Sequence, residues 1–153
     1  MKTAIVLSDT HGNFKVIDKL LPLMKENDYV IHLGDCEPDI LAYKREIKGE
    51  IFSVLGNCDG GDNEEVFEIE GVKILITHGN RYGVKNSIYK LFLRAKELGV
   101  TAVFYGHTHR SDIQEIDGIT FVNPGTAGSW FDKSYCYAIF HNKKLTVKIV
   151  EIK

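Results

Sequence analysis

The chain has 153 residues, and domains usually contain about 100 to 150, so the length leaves room for one domain. Hydrophobic residues make up 44% of the sequence and charged residues 26%, proportions that exclude a disordered, collagen-like or coiled-coil protein. The formal net charge is −2, from 19 basic and 21 acidic residues, whereas proteins that bind long nucleic acids usually carry a basic surplus. We therefore expect a single domain over residues 1–153, with no long nucleic acid as its partner.

The cysteines and the first residues indicate the compartment. Cys36, Cys58 and Cys136 are odd in number, widely spaced and form no C-x-x-C pair, which argues against a secreted protein built on disulfides. The N-terminus is apolar for only a few residues before Asp9, too few for a signal-peptide core or a membrane span. We therefore expect a cytoplasmic protein that does not bind a membrane.

The first half of the chain alternates short apolar runs with stretches of helical spacing. Apolar residues recur with a helical period from Phe14 to Met24, and a second, shorter helix is predicted from Pro38 to about Ile47. Alternation of strand and helix is typical of right-handed βαβ units and a parallel sheet. The predicted strands are Ala4–Leu7, Tyr29–Leu33 and Ile51–Leu55.

The second half begins with a predicted hairpin, Val66–Ile69 and Val72–Thr77, and continues with a helix from Val84 to Leu98. Gly99 is the glycine expected after the C-terminus of that helix. We therefore predict an α/β architecture in which two sheets pack on each other and helices cover the outer faces. From Thr101 onward only strands are predicted: Ala102–Tyr105, Asp112–Ile116, Ile119–Val122, Tyr135–Phe140 and Leu145–Ile152.

Five predicted strands end in the same way, because each apolar run stops at a small or hydroxyl residue and Asp, Asn or His follows. Ligands of an open α/β sheet bind beyond the carboxyl ends of its strands, so these side chains are predicted to converge. In Asp9-x-His11 and His107-x-His109, an extended chain turns residues i and i+2 to the same side. The candidate ligands are Asp9, His11, Asp35, Asn57, His78, His107 and His109.

This donor set predicts two metal ions. Seven nitrogen and oxygen donors are too many for one tetrahedral zinc, but they suit two ions about 3.5–4 Å apart that share a carboxylate. A mixed set without Cys favours Mn, Fe, Ni or Zn over calcium. Two divalent ions, offset by two Asp carboxylates and a bridging hydroxide, leave about one positive charge, which favours a phosphate group as the substrate.

Each motif alone is weak evidence, because Asp and Gly are common in turns and a lone histidine is more often structural. The ordered set, with every motif at the end of a predicted strand, is what indicates a metal-assisted hydrolase of phosphate esters. His32 and His141 lie within apolar runs and are predicted to be structural.

The ordered motifs resemble the signature of calcineurin-like metallophosphoesterases, and Asn123-Pro124-Gly125 and the short length resemble the small YfcE-type phosphodiesterase branch. The resemblance covers residues 9 to about 128 and implies a four-layer α/β/β/α sandwich of two mixed β-sheets flanked by helices, the metallo-dependent phosphatase fold. It implies that Asn57 also contacts the substrate phosphate. It further implies two metal sites that share Asp35, one with Asp9, His11 and His109 and the other with Asn57, His78 and His107.

The sequence departs from the family pattern in two places. Many members carry a histidine after the Asn as a general acid, whereas this chain has Cys58, which is either a weaker proton donor or a small residue without a catalytic role. The Ser/Thr phosphatases of the family carry an Arg soon after Gly-Asp, and none follows Asp35 here. Arg81 and Arg110 lie next to ligands and are candidates to bind substrate in its place, the alternative being exposed loop arginines.

The resulting prediction is a phosphodiesterase that hydrolyses small phosphodiesters through a dinuclear site and a bridging hydroxide. Its cofactors would be two divalent transition-metal ions, with Mn the first choice and Ni, Fe or Zn the others. A phosphomonoesterase of the same fold is the enzymatic alternative, and a non-catalytic interaction scaffold is the other, because a retromer subunit resembles this fold. Trp130 and Phe131 form a candidate homodimer contact.

Overall fold

The computed structural model describes all 153 residues, which form ten strands and three α-helices. The helices are α1 (Phe14–Glu26), α2 (Glu37–Leu41) and α3 (Tyr89–Leu98). The strands are β1 (Lys2–Leu7), β2 (Tyr29–His32), β3 (Glu50–Ser53), β4 (Glu64–Ile69), β5 (Val72–Thr77), β6 (Ala102–Phe104), β7 (Asp112–Ile116), β8 (Ile119–Asn123), β9 (Lys133–His141) and β10 (Lys144–Ile152). None of the helices is both long and apolar enough to cross a membrane.

The strands form two mixed sheets of five strands each, in the orders β10-β9-β1-β2-β3 and β4-β5-β6-β8-β7. In the first sheet β1, β2 and β3 are parallel, and β9 lies antiparallel to β1, with Ile5 opposite Tyr137. In the second sheet β5, β6 and β8 are parallel. Each sheet therefore has parallel strands at its centre, whose carboxyl ends point the same way.

The alternation of side chains along each strand produces the layers. In β1, Ala4 and Val6 point into the core between the sheets, whereas Ile5 and Leu7 face α1 and α2. The second sheet is built in the same way, with Phe104 in the inter-sheet core and Val103 beneath α3. Burial on both faces explains why these central strands read as continuous apolar runs. The predicted four-layer α/β/β/α sandwich is confirmed.

Two helices are shorter in the structure than the sequence predicted. The segment after α2 continues in turns to Ile47, because amides such as Tyr43 N bond three residues back, to Ile40 O, instead of continuing an α-helical ladder. The next helix begins at Tyr89 and not at Val84, because the Ser87 hydroxyl accepts a hydrogen bond from Tyr89 N. Side-chain bonds of this kind compete with helix formation.

Replacing Phe104 tests the inter-sheet core. This side chain is fully buried, and Phe104→Ala is expected to lower the free energy of unfolding by about 3–5 kcal/mol, because it opens a cavity between the sheets. Phe131→Ala removes the same atoms from a side chain that is 83% exposed and should change it by less than about 0.5 kcal/mol. Urea denaturation of both variants checks this, and equal losses would contradict the assigned core.

Candidate metal centre

The carboxyl edges of the two sheets meet, and the candidate ligands lie in the loops that begin there. Asp9 and His11 follow β1, Asp35 follows β2, and Asn57 follows β3. The second sheet contributes His78 after β5, and His107 and His109 after β6. All seven candidate side chains therefore lie in loops that follow strand ends at this edge.

Four side chains form the first group of donors: Asp9, His11, Asp35 and His109. Their candidate ligand atoms all lie within 4.8 Å of one another. His109 Nε2 is 3.1 Å from Asp9 Oδ1, and His11 Nε2 is 3.6 Å from the same oxygen. Both carboxylates are buried, whereas both imidazoles are partly exposed, so the group has the composition and spacing to hold one cation that solvent reaches.

A second group adjoins the first through Asp35. Its Oδ2 lies 3.7 Å from His11 Nε2 and 3.3 Å from His78 Nε2, so one oxygen faces histidines of both sheets. His107 Nδ1 is in turn 3.2 Å from His78 Nε2. The position of this oxygen between the two groups is the one that a shared carboxylate needs.

Asn57 is less integrated than the other six residues. Its side chain is exposed, and its only hydrogen bond is a long one, 3.8 Å, from Nδ2 to Cys58 Sγ. Its loop is nevertheless joined to the site, because Cys58 N donates to Asp35 Oδ1 at 2.9 Å. The structure thus brings six candidates into contact and leaves the Asn57 amide at the rim.

One buried oxygen shows that the donors fit a cation. Asp9 Oδ2 accepts hydrogen bonds from the Ser8 hydroxyl and from His107 N, but Asp9 Oδ1 is buried without a well-aligned hydrogen bond. An unpaired carboxylate oxygen in the interior costs several kcal/mol unless positive charge faces it. The residues present therefore fit a divalent cation bound by oxygen and imidazole nitrogen.

The pKa values of the site show the same demand for positive charge. Burial alone would raise the pKa of Asp9, but hydrogen bonding with His109, the charge of His78 and the Ser8 hydroxyl outweigh it and lower the pKa to about 2. The hydrogen bond with Asp9 raises the pKa of His109. Burial and the neighbouring His78 lower the pKa of His107, which favours the neutral imidazole that binds metals.

The convergence of the ligands comes from turns and not from extended backbone. Asp9 and His11 have φ of 55° and 45°, Asp35 has 61°, and His107 and His109 have 70° and 63°. Residues other than glycine rarely adopt this left-handed conformation, which costs on the order of 1–3 kcal/mol each. The prediction that extended i and i+2 positions align the pairs was therefore wrong in its reason, because these residues lie in tight loops.

Two glycines let the loops approach one another. A Cβ at Gly56 would collide with the Asp35 carboxylate, and a Cβ at Gly106 would collide with the Ser8 hydroxyl and approach Asp9. Glycine therefore precedes Asn57 and His107 because any larger residue would push the loop away from a carboxylate.

Asp59, which the sequence did not point to, connects the loops after β2 and β3. Its carboxylate accepts hydrogen bonds from the amides of Asp35 and Gly56, both at 2.9 Å, and of Cys36 and Glu37, at 2.8 and 3.2 Å. Charged acceptors make stronger hydrogen bonds than neutral ones, so this residue is a main support of the Asp35 loop. Asn57-Cys58-Asp59-Gly60 reads as an ordinary turn, and no signal in the sequence distinguishes it.

His32, the last residue of β2, connects the loops that follow β1 and β2. It is fully buried, and its Nδ1 accepts a hydrogen bond from Gly34 N at 3.1 Å. The neutral ring therefore carries its proton on Nε2, which is 3.0 Å from Thr10 Oγ1. The predicted structural role of His32 agrees with these contacts, whereas His141 is exposed at the end of β9 rather than packed in an apolar environment.

The two candidate arginines have different surroundings. Arg81 is engaged with Asp62, through Nε to Oδ2 at 3.0 Å and through a second bond to the Asp62 carbonyl oxygen. Arg110 forms no ion pair and lines a cleft beside His109. Cys58 is exposed, and desolvation together with the charge of Asp35 raises the pKa of its thiol, so the thiol is protonated at neutral pH.

Buried carboxylates faced by histidines at the carboxyl edge of a two-sheet sandwich form a candidate metal centre. Residues 1–145 match the model of the calcineurin-like phosphoesterase superfamily domain. Over 127 residues, 80% of this chain and 73% of the other, the chain is 32% identical to Probable metallophosphoesterase YsnB of Bacillus subtilis. It is 29% identical over 140 residues to Phosphodiesterase MJ0936 of Methanocaldococcus jannaschii, which covers 78% of this chain and 81% of that protein.

Solved structures agree with these relatives. A conserved uncharacterized protein of Streptococcus pneumoniae TIGR4, described as a predicted phosphoesterase, superposes with a TM-score of 0.81 at 26% identity, covering 98% of this chain and 89% of that one. Wild-type Vps29 of Entamoeba histolytica complexed with Zn²⁺ has a TM-score of 0.78 at 22% identity over 98% of both chains, a likeness of fold alone. The chain therefore belongs to the calcineurin-like phosphoesterase superfamily and, by that membership, is a phosphoric ester hydrolase.

Removal of the Asp59 carboxylate should loosen the loop that carries Asp35. Asp59→Ala leaves four amides without their acceptor and is expected to lower the free energy of unfolding by about 2–4 kcal/mol. It should also weaken Mn²⁺ binding, measured by calorimetry, about 10- to 100-fold. Asp62→Ala, in the same loop, breaks only an exposed ion pair and should cost less than about 1 kcal/mol. Similar behaviour of both variants would contradict the role of Asp59.

The burial of His32 predicts a pH-dependent stability. Burial lowers the pKa of His32 to about 4, below the ordinary value, so the unfolded chain binds this proton first. The stability that depends on the neutral ring is present at pH 7, declines as the pH falls below about 6.5 and is lost by about pH 4, a difference of up to about 3 kcal/mol. His32→Gln should reduce this pH dependence in urea denaturation with EDTA present, and the exposed His141→Gln should not. An unchanged pH dependence in His32→Gln would refute the prediction.

Proposed function

We propose that this chain is a cytoplasmic, metal-dependent phosphodiesterase that hydrolyses small phosphodiesters at the edge where the two sheets meet. The observation that carries the proposal is the position of Asp35 Oδ2, between His11 Nε2 at 3.7 Å and His78 Nε2 at 3.3 Å. One carboxylate oxygen that faces imidazoles from both sheets supports a pair of ions and not a single one.

The proposed ligands divide into two sets that share Asp35. The first set adds Asp9, His11 and His109, the group whose donor atoms all lie within 4.8 Å. The second adds Asn57, His78 and His107. Bound divalent ions would supply Lewis-acid chemistry, because they lower the pKa of bound water toward about 7 and stabilise the attacking and leaving oxygens. Mn²⁺ is the ion that we propose first, with Ni²⁺, Fe²⁺ and Zn²⁺ as the others.

The chain's own residues hold and orient these ligands. Leu33 O lies 2.7 Å from His78 Nδ1, so that nitrogen carries the proton and Nε2 is left to face Asp35. The Ser8 hydroxyl and His107 N occupy Asp9 Oδ2, which leaves Oδ1 free to bind a cation. Such contacts orient a ligand and set its basicity before the cation binds.

The surroundings of the site favour a diester over a monoester. A monoester carries a second negative charge, which phosphatases bind with additional cations or free amides. Here the amides of Cys36 and Glu37 already donate to Asp59, and Glu37, the first residue of α2, carries a negative charge close to Asp35 in the sequence, where no arginine is present. We therefore assign the exposed Asn57 amide and Arg110 as contacts of the substrate phosphate, and we assign no such contact to Arg81, which is paired with Asp62.

Cys58 is the proposed source of a proton for the leaving group. Its thiol is exposed at the rim beside Asn57, and its pKa is raised, so it is protonated near neutral pH. A thiol of raised pKa gives up its proton less readily than an imidazolium. Esters whose leaving groups need little protonation should therefore react fastest.

A non-catalytic scaffold is the second candidate, and the exposed side chains of Trp130 and Phe131 are the observation that favours it. Their relative exposures of 94% and 83% suit a contact with another protein, including a second copy of this chain. Against it stands the buried Asp9 Oδ1, which has no well-aligned hydrogen bond, because a scaffold without metal gains nothing from a buried carboxylate oxygen of this kind.

Hydrolysis by metal-loaded protein tests the proposal. Protein stripped with EDTA and then supplied with Mn²⁺ should hydrolyse bis-p-nitrophenyl phosphate faster than p-nitrophenyl phosphate, and the stripped protein should be inactive. Asp35→Ala and His109→Ala are each expected to lower turnover at least about 100-fold, because each removes a metal ligand. His141→Ala, outside the site, should keep full activity. Turnover retained by both ligand variants would refute the site, and faster monoester hydrolysis would favour the phosphomonoesterase.

A further inference from the structure

A cleft of about 620 Å³ opens beside the metal centre, with His11 at its rim. One wall is the first turns of α1, and the other is formed by Gly128 to Trp130 and Lys133, the first residue of β9. Because His11 also belongs to the first group of donors, a substrate bound at the centre can extend directly into this cleft. Its volume falls within the range of small-ligand pockets and suits one nucleotide unit.

The walls carry positive charge that the protein does not compensate. Lys15 and Lys19 lie one helical turn apart on α1, and Lys133 faces the same space from the other wall. None of the three forms an ion pair, and no Asp or Glu lines the cleft, in a chain whose net charge is −2. Like charges four residues apart destabilise a helix slightly, so this pair is not explained by helix stability.

The cleft on the other side of the centre shares Lys133 but differs in the charge of its other lining residues. There, beside His109, Arg110 and Lys133 are accompanied by Asp132 and Glu151. Opposite charges in the same cleft cancel much of its attraction for an anion. Of these two clefts, the one on the His11 side has several lysines and no Asp or Glu among its lining residues.

An aromatic surface completes the cleft. Trp130, the only tryptophan of the chain, is 94% exposed, and Phe14, which lines the same cleft, is 47% exposed. Leaving such rings in water forgoes the stabilisation that burial brings. Stacking of a nucleobase on an aromatic side chain recovers it and is worth about 1–3 kcal/mol.

We propose that this cleft, defined by Lys15, Lys19, Lys133 and Trp130, binds the nucleotide unit next to the scissile phosphate. The base stacks on Trp130, and a phosphate one unit away from the scissile one contacts the three lysines. The inference rests on the proposed phosphodiesterase function, and it names the substrate class: short nucleotide phosphodiesters that carry an additional terminal phosphate.

Binding to metal-free protein tests the cleft without any turnover. Because Trp130 is the only tryptophan, intrinsic tryptophan fluorescence reports this cleft alone. AMP should quench it, and adenosine, which lacks the phosphate, should bind about tenfold more weakly. The triple variant Lys15→Ala/Lys19→Ala/Lys133→Ala should bind AMP and adenosine equally, whereas Lys90→Ala, an exposed lysine of α3, should behave as wild type. Absence of quenching by AMP, or a triple variant that still prefers AMP, would overturn the inference, as would a dimer that covers Trp130.

Turnover separates this inference from the proposed function. With Mn²⁺ present, kcat/KM for the dinucleotide ApA is compared with that for pApA and ApAp, which carry one more phosphate. The better of the two phosphorylated forms should react about tenfold faster than ApA, and the triple variant should reduce that ratio to about one. The advantage should shrink as salt rises from about 0.05 to 0.2 M, because exposed charges are screened. Equal hydrolysis of ApA, pApA and ApAp would overturn only the nucleotide-binding role of the cleft. AMP binding without hydrolysis of any diester would overturn only the proposed phosphodiesterase function.

Discussion

Two buried carboxylates, Asp9 and Asp35, lie at the edge where the two sheets meet, and the surrounding structure is organised around them. Asp9 is fully buried and Asp35 is 2% exposed. Charges in such positions destabilise a fold unless hydrogen-bond donors and cations face them. One oxygen of each carboxylate accepts hydrogen bonds: Asp9 from the Ser8 hydroxyl and a backbone amide, and Asp35 from a backbone amide. The other oxygen of each carboxylate faces imidazoles. Each carboxylate thus has one oxygen that is hydrogen-bonded to the protein and one oxygen that is available to bind a cation.

Holding these groups requires backbone that the chain would not adopt by itself. The ligands with positive φ lie in loops that other residues tie down from several directions. Asp59 binds the loop after β2, His32 joins it to the loop after β1, and Asp39 accepts a hydrogen bond from Gly12 N at 2.7 Å. From the far side, the Thr126 hydroxyl donates to the Asp9 carbonyl oxygen at 2.9 Å. Strain of this kind persists only where the surroundings determine the conformation.

The sequence was sufficient to predict the layers and the strand ends where most of the candidate ligands lie, and insufficient to predict the contacts that support them. The apolar runs predict the central strands because these strands are buried on both faces, and the candidate ligands are chemically distinctive residues at the strand ends. The contacts of Asp59 depend on one amide of its own loop and three amides of the segment after β2, and no local pattern records those three. The start of α3 was misplaced because the Ser87 hydroxyl competes with the helix. The pairing of Arg81 with Asp62 and the position of Lys133 in the same cleft as Lys19 also depend on tertiary contacts, which the sequence pattern does not record.

The position of β1 has a consequence for the folding of the protein during its synthesis on the ribosome. Its neighbours are β2, which is made soon after it, and β9, in which Cys136 lies opposite Val6. Asp9 follows this strand, yet the side of β1 that β9 covers stays open until Lys133–His141 have been synthesised. Contacts between such distant segments form late, because the chain entropy of closing a long loop must be overcome first. Asp9, the first candidate ligand to be translated, is therefore among the last to be fixed in place, after β9 has joined the sheet.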